Sequence, residues 1–424
     1  MGAAIAVAVS ALAAQSGQGP AQPATASASA PRRDDDGYTK LIAALDDRIE
    51  DLQARADSRS DDWLTREHLG YALLERASLT QDPDDYARLQ IVLDEAFEIA
   101  VQRSGPLLLA ARYNVAIHRY DVAEDYLVRM GQRVLEPKNE QLAARVLKSQ
   151  IAFQRGEFDE ARALLDSVAN VAPAAVSAEL ALYHAKTGDP ERADALLAEA
   201  FASATPKDKR RRAWTLMQRG LVAMDRGAYL PALELLQEAD AELSGWWLVQ
   251  EHLAEVYDRL GQHGRALAIY EGLVATHGLP QHMDALARAR RHAGENADEL
   301  IAKSGAIWAE LFERMPSSAI GHGLEHELAF GDPRRAVELA EANHALRPGG
   351  DAKVALARAY VAAGRPADAR TVVRDALATP YRTAGLHRVA VDAHTALGET
   401  SAAAEQLALC VAINPSCESQ THTH

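Results

Sequence analysis

A glycine followed five residues later by an alanine recurs at regular intervals along the chain as Gly156/Ala161, Gly188/Ala193, Gly227/Ala232, Gly261/Ala266, Gly331/Ala336, Gly364/Ala369 and Gly398/Ala403. The local spacing is mostly 32 to 34 residues. A period of that length points to a stack of equivalent small units, each leaning on its neighbours, rather than to one globular core. The stretch Trp247 to Pro280 shows what a unit is. Leu248, Leu253, Val256, Tyr257 and Leu260 recur with a helical period, Gly261 interrupts them, and Ala266, Leu267, Ile269, Tyr270, Leu273 and Val274 resume. This spells helix, turn, helix. Gly261 suits the left-handed position just past a helix end, and Ala266 lacks the bulk that would hold the second helix away from the first.

Four residues past each alanine stands Leu165, Leu197, Leu236, Tyr270, Ala340, Val373 or Leu407, and a proline lies twelve residues past it in three copies, at Pro173, Pro348 and Pro415. In these features the chain resembles the tetratricopeptide repeat (TPR) family, and the resemblance covers roughly three quarters of its length. It implies an all-α fold, a right-handed α-solenoid of helix-turn-helix repeats. It also implies a concave groove, lined by the first helix of each pair, that holds a protein or peptide partner. Some TPR proteins clamp a partner's carboxyl terminus with Lys and Asn at fixed first-helix positions. Here the asparagine position holds Tyr71, Arg112, Gln150, Leu182, Leu221, Glu255, Glu325, Arg358 and Asp392, so that clamp is not expected.

The array proper is expected over residues 104–415. Residues 37–103 carry an amino-terminal helix striped by Leu41, Leu45, Ile49 and Leu52 and then a degenerate copy. In that copy Leu69-Gly70 marks a first helix, while an insertion at Asp82-Pro83 delays the second. The next copy has His118 where others have glycine, and 281–316 reads as an irregular pair because Gly294 is followed five residues later by Glu299.

Residues 2–14, GAAIAVAVSALAA, form an apolar run ending in small residues, with Ala11-Leu12-Ala13 matching a processing site. A signal peptide and a periplasmic or secreted location are one expectation, and a cytoplasmic adaptor with an Ala-rich tail is the other. The run is too short for a membrane span of about 20 residues, and no cysteine follows it to take a lipid. Residues 15–36, rich in Ala, Pro, Ser and Thr, read as a disordered linker, and 416–424 as a polar tail.

The formal charge of −15 gives no footprint for nucleic acid or an anionic membrane. The basic run Lys207 to Arg212 reads as a solvated helix face. One motif carries possible chemistry: His322-Gly-Leu-Glu325-His326 spells H-x-x-E-H, the pattern of a zinc metallopeptidase, where two histidines bind zinc and the glutamate activates water. It sits in register within a repeat, so solvent-facing histidines are the expected reading. No phosphate loop, nucleophile elbow or C-x-x-C pair occurs. Neither a cofactor nor a catalytic residue is expected.

The groove is expected to be most adhesive at Trp214, Met217, Leu221 and Met224, whose spacing puts them on one helix face, beside Trp246-Trp247, Glu251 and Glu255. A rotated helix would instead place that stripe in the core. At the carboxyl end no polar capping helix follows the last copy. A disulfide between Cys410 and Cys417 would fold the tail back as a lid; alternatively Cys410 is simply buried and Cys417 free, or the end pairs with a second copy as a homodimer.

Overall fold

The computed structural model describes residues 37–101, 104–133 and 137–418, so the expected leader (1–14), the linker (15–36) and the last residues of the tail lie outside the described residues. The described chain begins with α1 (Gly37–Ser58) and continues as pairs. The first pairs are α2 (Trp63–Thr80) with α3 (Pro83–Ile99), α4 (Leu107–Ala116) with α5 (Tyr120–Met130), and α6 (Lys138–Arg155) with α7 (Phe158–Ala169). Then come α8 (Ser177–Lys186) with α9 (Pro190–Ser203), α10 (Lys209–Asp225) with α11 (Tyr229–Glu242), and α12 (Trp247–Arg259) with α13 (His263–His277). The remainder is α14 (Pro280–His292) with α15 (Asp298–Arg314), α16 (Pro316–Phe330) with α17 (Pro333–Leu346), α18 (Gly350–Ala362) with α19 (Pro366–Leu377), and α20 (Ala384–Ala396) with α21 (Thr400–Ile413). No strand occurs among the described residues, only an isolated bridge between Thr187 and Arg382.

Each pair is made by the devices seen in the sequence. Gly156, Gly188, Gly227, Gly261, Gly364 and Gly398 all have positive φ, which lets the chain reverse without a Cβ clash. His118 takes the same conformation at φ 61, and its Nδ1 lies 2.9 Å from the Tyr120 hydroxyl. Gly331 departs from the rule with φ −103; there Asp332 caps α17 by accepting from the Arg334 N–H. Ala161, Ala193, Ala232, Ala266, Ala336 and Ala369 are all buried where the second helix crosses the first. In α10 the crossing is closer still, since a Cβ on Gly220 would lie 2.9 Å from Leu236.

In the degenerate pair the second helix does start late, because the extra residues lengthen the first: α2 runs on to Thr80, Gln81 turns at φ 60, and Asp82 caps α3 by accepting from the Asp84 N–H. The 281–316 pair keeps its turn at Gly294, and α15 is pinned by Trp308, whose indole N–H donates to Asp284 at 2.9 Å.

Even-numbered helices pack on the next even-numbered helix in several places (α2 on α4, α4 on α6, α10 on α12, α18 on α20), more closely than odd ones pack on each other. The more crowded side of a curved stack is its concave side, so the first helices face inward. The curvature is tight. The α6–α7 turn meets the start of α18 and the α8–α9 turn meets the start of α20, so about six pairs complete one superhelical turn and the next turn stacks directly on the first.

Candidate interaction channel

The first helices of both superhelical turns face a common interior, which we read as a channel. Asp225 at the end of α10, Arg288 on α14 and His322 on α16 are all exposed to solvent. Protein packed around them nevertheless raises the Asp225 pKa and lowers that of His322. Glu251 on α12 is pushed up to about 7 by burial and then by neighbouring Glu255. Glu67 on α2 likewise reaches about 7, through burial and then Glu140.

Along the second superhelical turn the channel wall carries alternating charge. Successive first helices present Glu255, Arg288, Glu325, Arg358 and Asp392. Arg358 clasps Glu325 with two bonds of 2.7 and 3.1 Å. Burial opposes ionisation of Glu325, but Arg358 outweighs it and the pKa falls. His252 Nδ1 lies 2.9 Å from the Glu255 carboxylate and has the same effect there against burial. The asparagine-position register already contained four of these five residues. Arg288 was hidden because the irregular pair shifts the spacing.

Three of the expected adhesive residues are not surface. Met217 is 1% exposed and Trp247 5%, both within one core cluster with Leu216, Leu236 and Leu253. Trp246 joins them at 2%, and Trp214 and Met224 are half-buried against the same cluster. α10 is rotated so that its apolar stripe meets α11 and α12, because Gly220 lets Leu236 come in close on that side. Trp247 then points its indole N–H across the superhelix to the Leu79 carbonyl at 2.6 Å. Leu221, Glu251 and Glu255 keep partial access to solvent.

The H-x-x-E-H residues diverge. His326 is buried, not solvent-facing, with Nδ1 2.8 Å from Asp284 in the network that holds Trp308. Glu325 lies on the channel wall but is held by Arg358, and His322 faces the channel with its ring parallel to Trp308 at 6.1 Å. Among the described residues no three His, Cys, Asp or Glu groups converge as a metal would require. The basic run stays partly solvated, with Lys207, Lys209 and Arg211 exposed, while Arg210 bonds Ser78 and Glu75, and Arg212 and Lys209 bond Glu242. At the carboxyl end Cys410 and Cys417 are joined, their Cα atoms 6.0 Å apart, around a 3-10 turn at Pro415–Cys417. That turn does not merely cover α21. Asn414 packs on Gly227, and Ser416 Oγ lies 2.8 Å from the Tyr229 hydroxyl on the superhelical turn below.

Each helix crossing buries leucines and alanines, at roughly 1.5–3 kcal/mol per fully buried large side chain. The contacts between superhelical turns combine hydrogen bonds with apolar packing: Phe158 shares a buried cluster with Tyr381 and Leu386, and Tyr38 and Leu79 share one with Trp246 and Trp247.

No protein-family model matches the chain, and no curated protein matches it. Among solved structures it is similar to a tetratricopeptide repeat protein from Parabacteroides merdae, with TM-score 0.34 and 17% identity over 56% of this chain and 91% of that one. It is also similar to PilF of Pseudomonas aeruginosa, with TM-score 0.32 and 20% identity over 50% and 94%. A third is the Cut9–Hcn1 hetero-tetramer of the APC/C, with TM-score 0.40 and 12% identity over 89% and 81%. Within the chain itself, left-handed glycine turns and buried alanine crossings repeat with the TPR spacing. This is a TPR-type solenoid. Its TPR first helices form the inner wall, and no helix among the described residues is long and apolar enough to cross a membrane.

Proposed function

We propose that this TPR-type protein is an exported interaction scaffold that holds a stretch of partner polypeptide in its channel. The observation that carries the reading is the inner wall. Asp225, Glu251, Glu255 and His322, from two successive pairs and the α16 pair, face this interior, and Asp225 and Glu251 have raised pKa values there. Carboxyls whose pKa burial has raised favour a ligand that brings hydrogen-bond donors or positive charge. A polypeptide backbone and its basic side chains supply both. Export is supported by the apolar run at 2–14 together with the Cys410–Cys417 bond, a linkage that persists in oxidising compartments.

A photo-crosslinking side chain placed at Leu221 on the inner helix α10, and for comparison at exposed Leu230 on the outer helix α11, tests the binding in native cells. Discrete polypeptide adducts at 221 and none at 230 are expected. Equal labelling from both positions sinks the channel reading. Fractionation of the same cells reports compartment, and recovery solely with cytoplasmic markers sinks export.

A further inference from the structure

His118 stands in its turn where other copies carry glycine. Among the described residues it and Gln81 are the non-glycine residues at positive φ, and Gln81 closes the end of α2. A histidine in the left-handed region is uncommon, and the conformation persists only where the surroundings fix it. Here the surroundings belong to the other superhelical turn. Burial lowers the His118 pKa well below its ordinary value, and Arg347, just past α17, and then His322 lower it further. Arg347 also acts on the Tyr120 hydroxyl that lies 2.9 Å from His118 Nδ1. Its guanidinium rests on the α16 backbone, where a Cβ on Gly321 would come within 2.6 Å of it, and His322 is the next residue.

No carboxylate answers this group. Arg347 Nε donates to the neutral amide oxygen of Asn343 at 2.7 Å, and the side chain forms no ion pair among the described residues. The carboxylates that act on His322 are Glu325 and Asp284, and both are committed: Glu325 to Arg358, and Asp284 to Trp308 and His326. Burial and then Arg347 outweigh them, so the His322 pKa is lowered. One permanent guanidinium beside two imidazoles held neutral amounts to about one positive charge, which suits a monoanion. His322 is exposed, and its ring lies parallel to Trp308, so the group presents itself to the channel.

We propose that Arg347, His118 and His322 form a subsite of the channel that receives a carboxylate, the side chain of an aspartate or glutamate in the bound polypeptide. This rests on the channel-binding reading above and specifies its ligand further. Glu251 and His322 are neighbours, since His282 stands 3.8 Å from the one and within electrostatic reach of the other. The segment this wall fits therefore places a basic residue at Glu251 and an acidic residue at Arg347. The guanidinium binds the carboxylate directly, and His322 takes up a proton from solvent to add a second charge-assisted hydrogen bond.

The probe is an end-capped peptide of alternating alanine and glutamate, compared with its alanine-glutamine counterpart and with sodium acetate at the same carboxylate concentration. The full chain, isotopically labelled in its histidines, is followed by NMR as pH is varied, and affinity is read by calorimetry. The glutamate peptide should raise the His322 titration midpoint by about one pH unit, and the glutamine peptide should leave it in place. Arg347→Gln should weaken glutamate-peptide binding roughly tenfold, whereas Arg334→Gln at the exposed start of α17 should not. His322→Gln, at an exposed position, should weaken it as well and guards against a folding defect in Arg347→Gln. Equal binding of the two peptides, or unchanged affinity in both Arg347→Gln and His322→Gln, overturns the subsite. A His322 response to acetate as large as to the peptide assigns the site to a free small anion and overturns its polypeptide ligand. Discrete adducts at Leu221 alongside any of these failures leave the channel reading standing, whereas equal labelling at 221 and 230 removes that reading and the subsite's polypeptide with it.

Discussion

Lys186 donates its ammonium to Asp351 at 2.8 Å across 165 residues of sequence, joining α8 of one superhelical turn to α18 of the next. Burial works against the charge on Lys186, but Asp351 together with Tyr381 and Asp225 outweighs it and the pKa rises. The Tyr381 hydroxyl donates to the same carboxylate at 2.7 Å. One side chain thus holds two segments at the seam between the superhelical turns.

Asp351→Ala should lower stability by about 1–2 kcal/mol, a value kept modest because the carboxylate is partly solvated. Urea unfolding gives the loss. Hydrogen exchange should quicken at Lys186 to Gly188 and at Arg382 while the α8–α9 crossing stays protected. Unchanged exchange at Arg382 would show that the pair does not hold the seam.

Met217 is core, and its truncation should behave accordingly. Met217→Ala should cost about 2–5 kcal/mol, as a buried large side chain does, whereas Leu221→Ala on the same helix should cost much less. Thermal denaturation compares the two. Equal small losses would return Met217 to the surface.

His282 is fully buried beside the Trp247 ring, neither ring nitrogen has a hydrogen-bond partner, and Nε2 stands 3.8 Å from Glu251. Burial first, then His277 and His322, lowers its pKa from 6.5 to about 3. A base whose folded pKa lies below its unfolded value takes up its proton more readily when unfolded, so stability is lost as pH falls from 6.5 toward 3. The slope is about 1.4 kcal/mol per pH unit. Glu251, raised from 4.5 to about 7, acts in the opposite sense and withdraws stability as pH rises from 4.5 to 7. Relative to His282→Phe, the unaltered protein should become progressively less stable below pH 6.5. Relative to Glu251→Gln, it should become less stable as pH rises from 4.5 to 7. Parallel stability curves for the unaltered protein and either variant would refute that assignment.

The two histidines of the H-x-x-E-H motif should part company on mutation. His326→Ala strips the buried Asp284 of a partner and should cost about 2–3 kcal/mol, while His322→Ala should stay within about 0.5 kcal/mol of the parent. Elemental analysis of the same samples is expected to find no stoichiometric zinc. Zinc that disappears in both variants would make the motif a metal site.

Much of the architecture was legible because it is local. The glycine at each turn and the alanine at each crossing obey rules that act within a few residues, so the pairs at Gly156, Gly261 and Gly364 could be placed without neighbours. The asparagine-position register runs through Glu255, Glu325, Arg358 and Asp392, but of these the sequence marks only Glu255 as a groove residue. The failure at Met217 is instructive. Spacing showed that Trp214, Met217, Leu221 and Met224 share a face, yet a helix in an array has apolar neighbours on more than one side. Which of those sides the stripe meets depends on how closely α11 crosses at Gly220.

By itself the sequence determined the helix pairs, their turns, their crossings and hence a solenoid, because hydrophobic period and backbone conformation are properties of short stretches. Only the tertiary structure decided how tightly the solenoid winds. Curvature accumulates from small rotations between pairs, and no single residue encodes it. That winding brings Leu79 to Trp247, Gln154 to Gly349 and Lys186 to Asp351, and turns an open groove into a channel with a seam. It also gives the same motif residues different fates, burying His326 against Asp284 and leaving His322 in the channel, since a helix face acquires meaning only from what is packed against it.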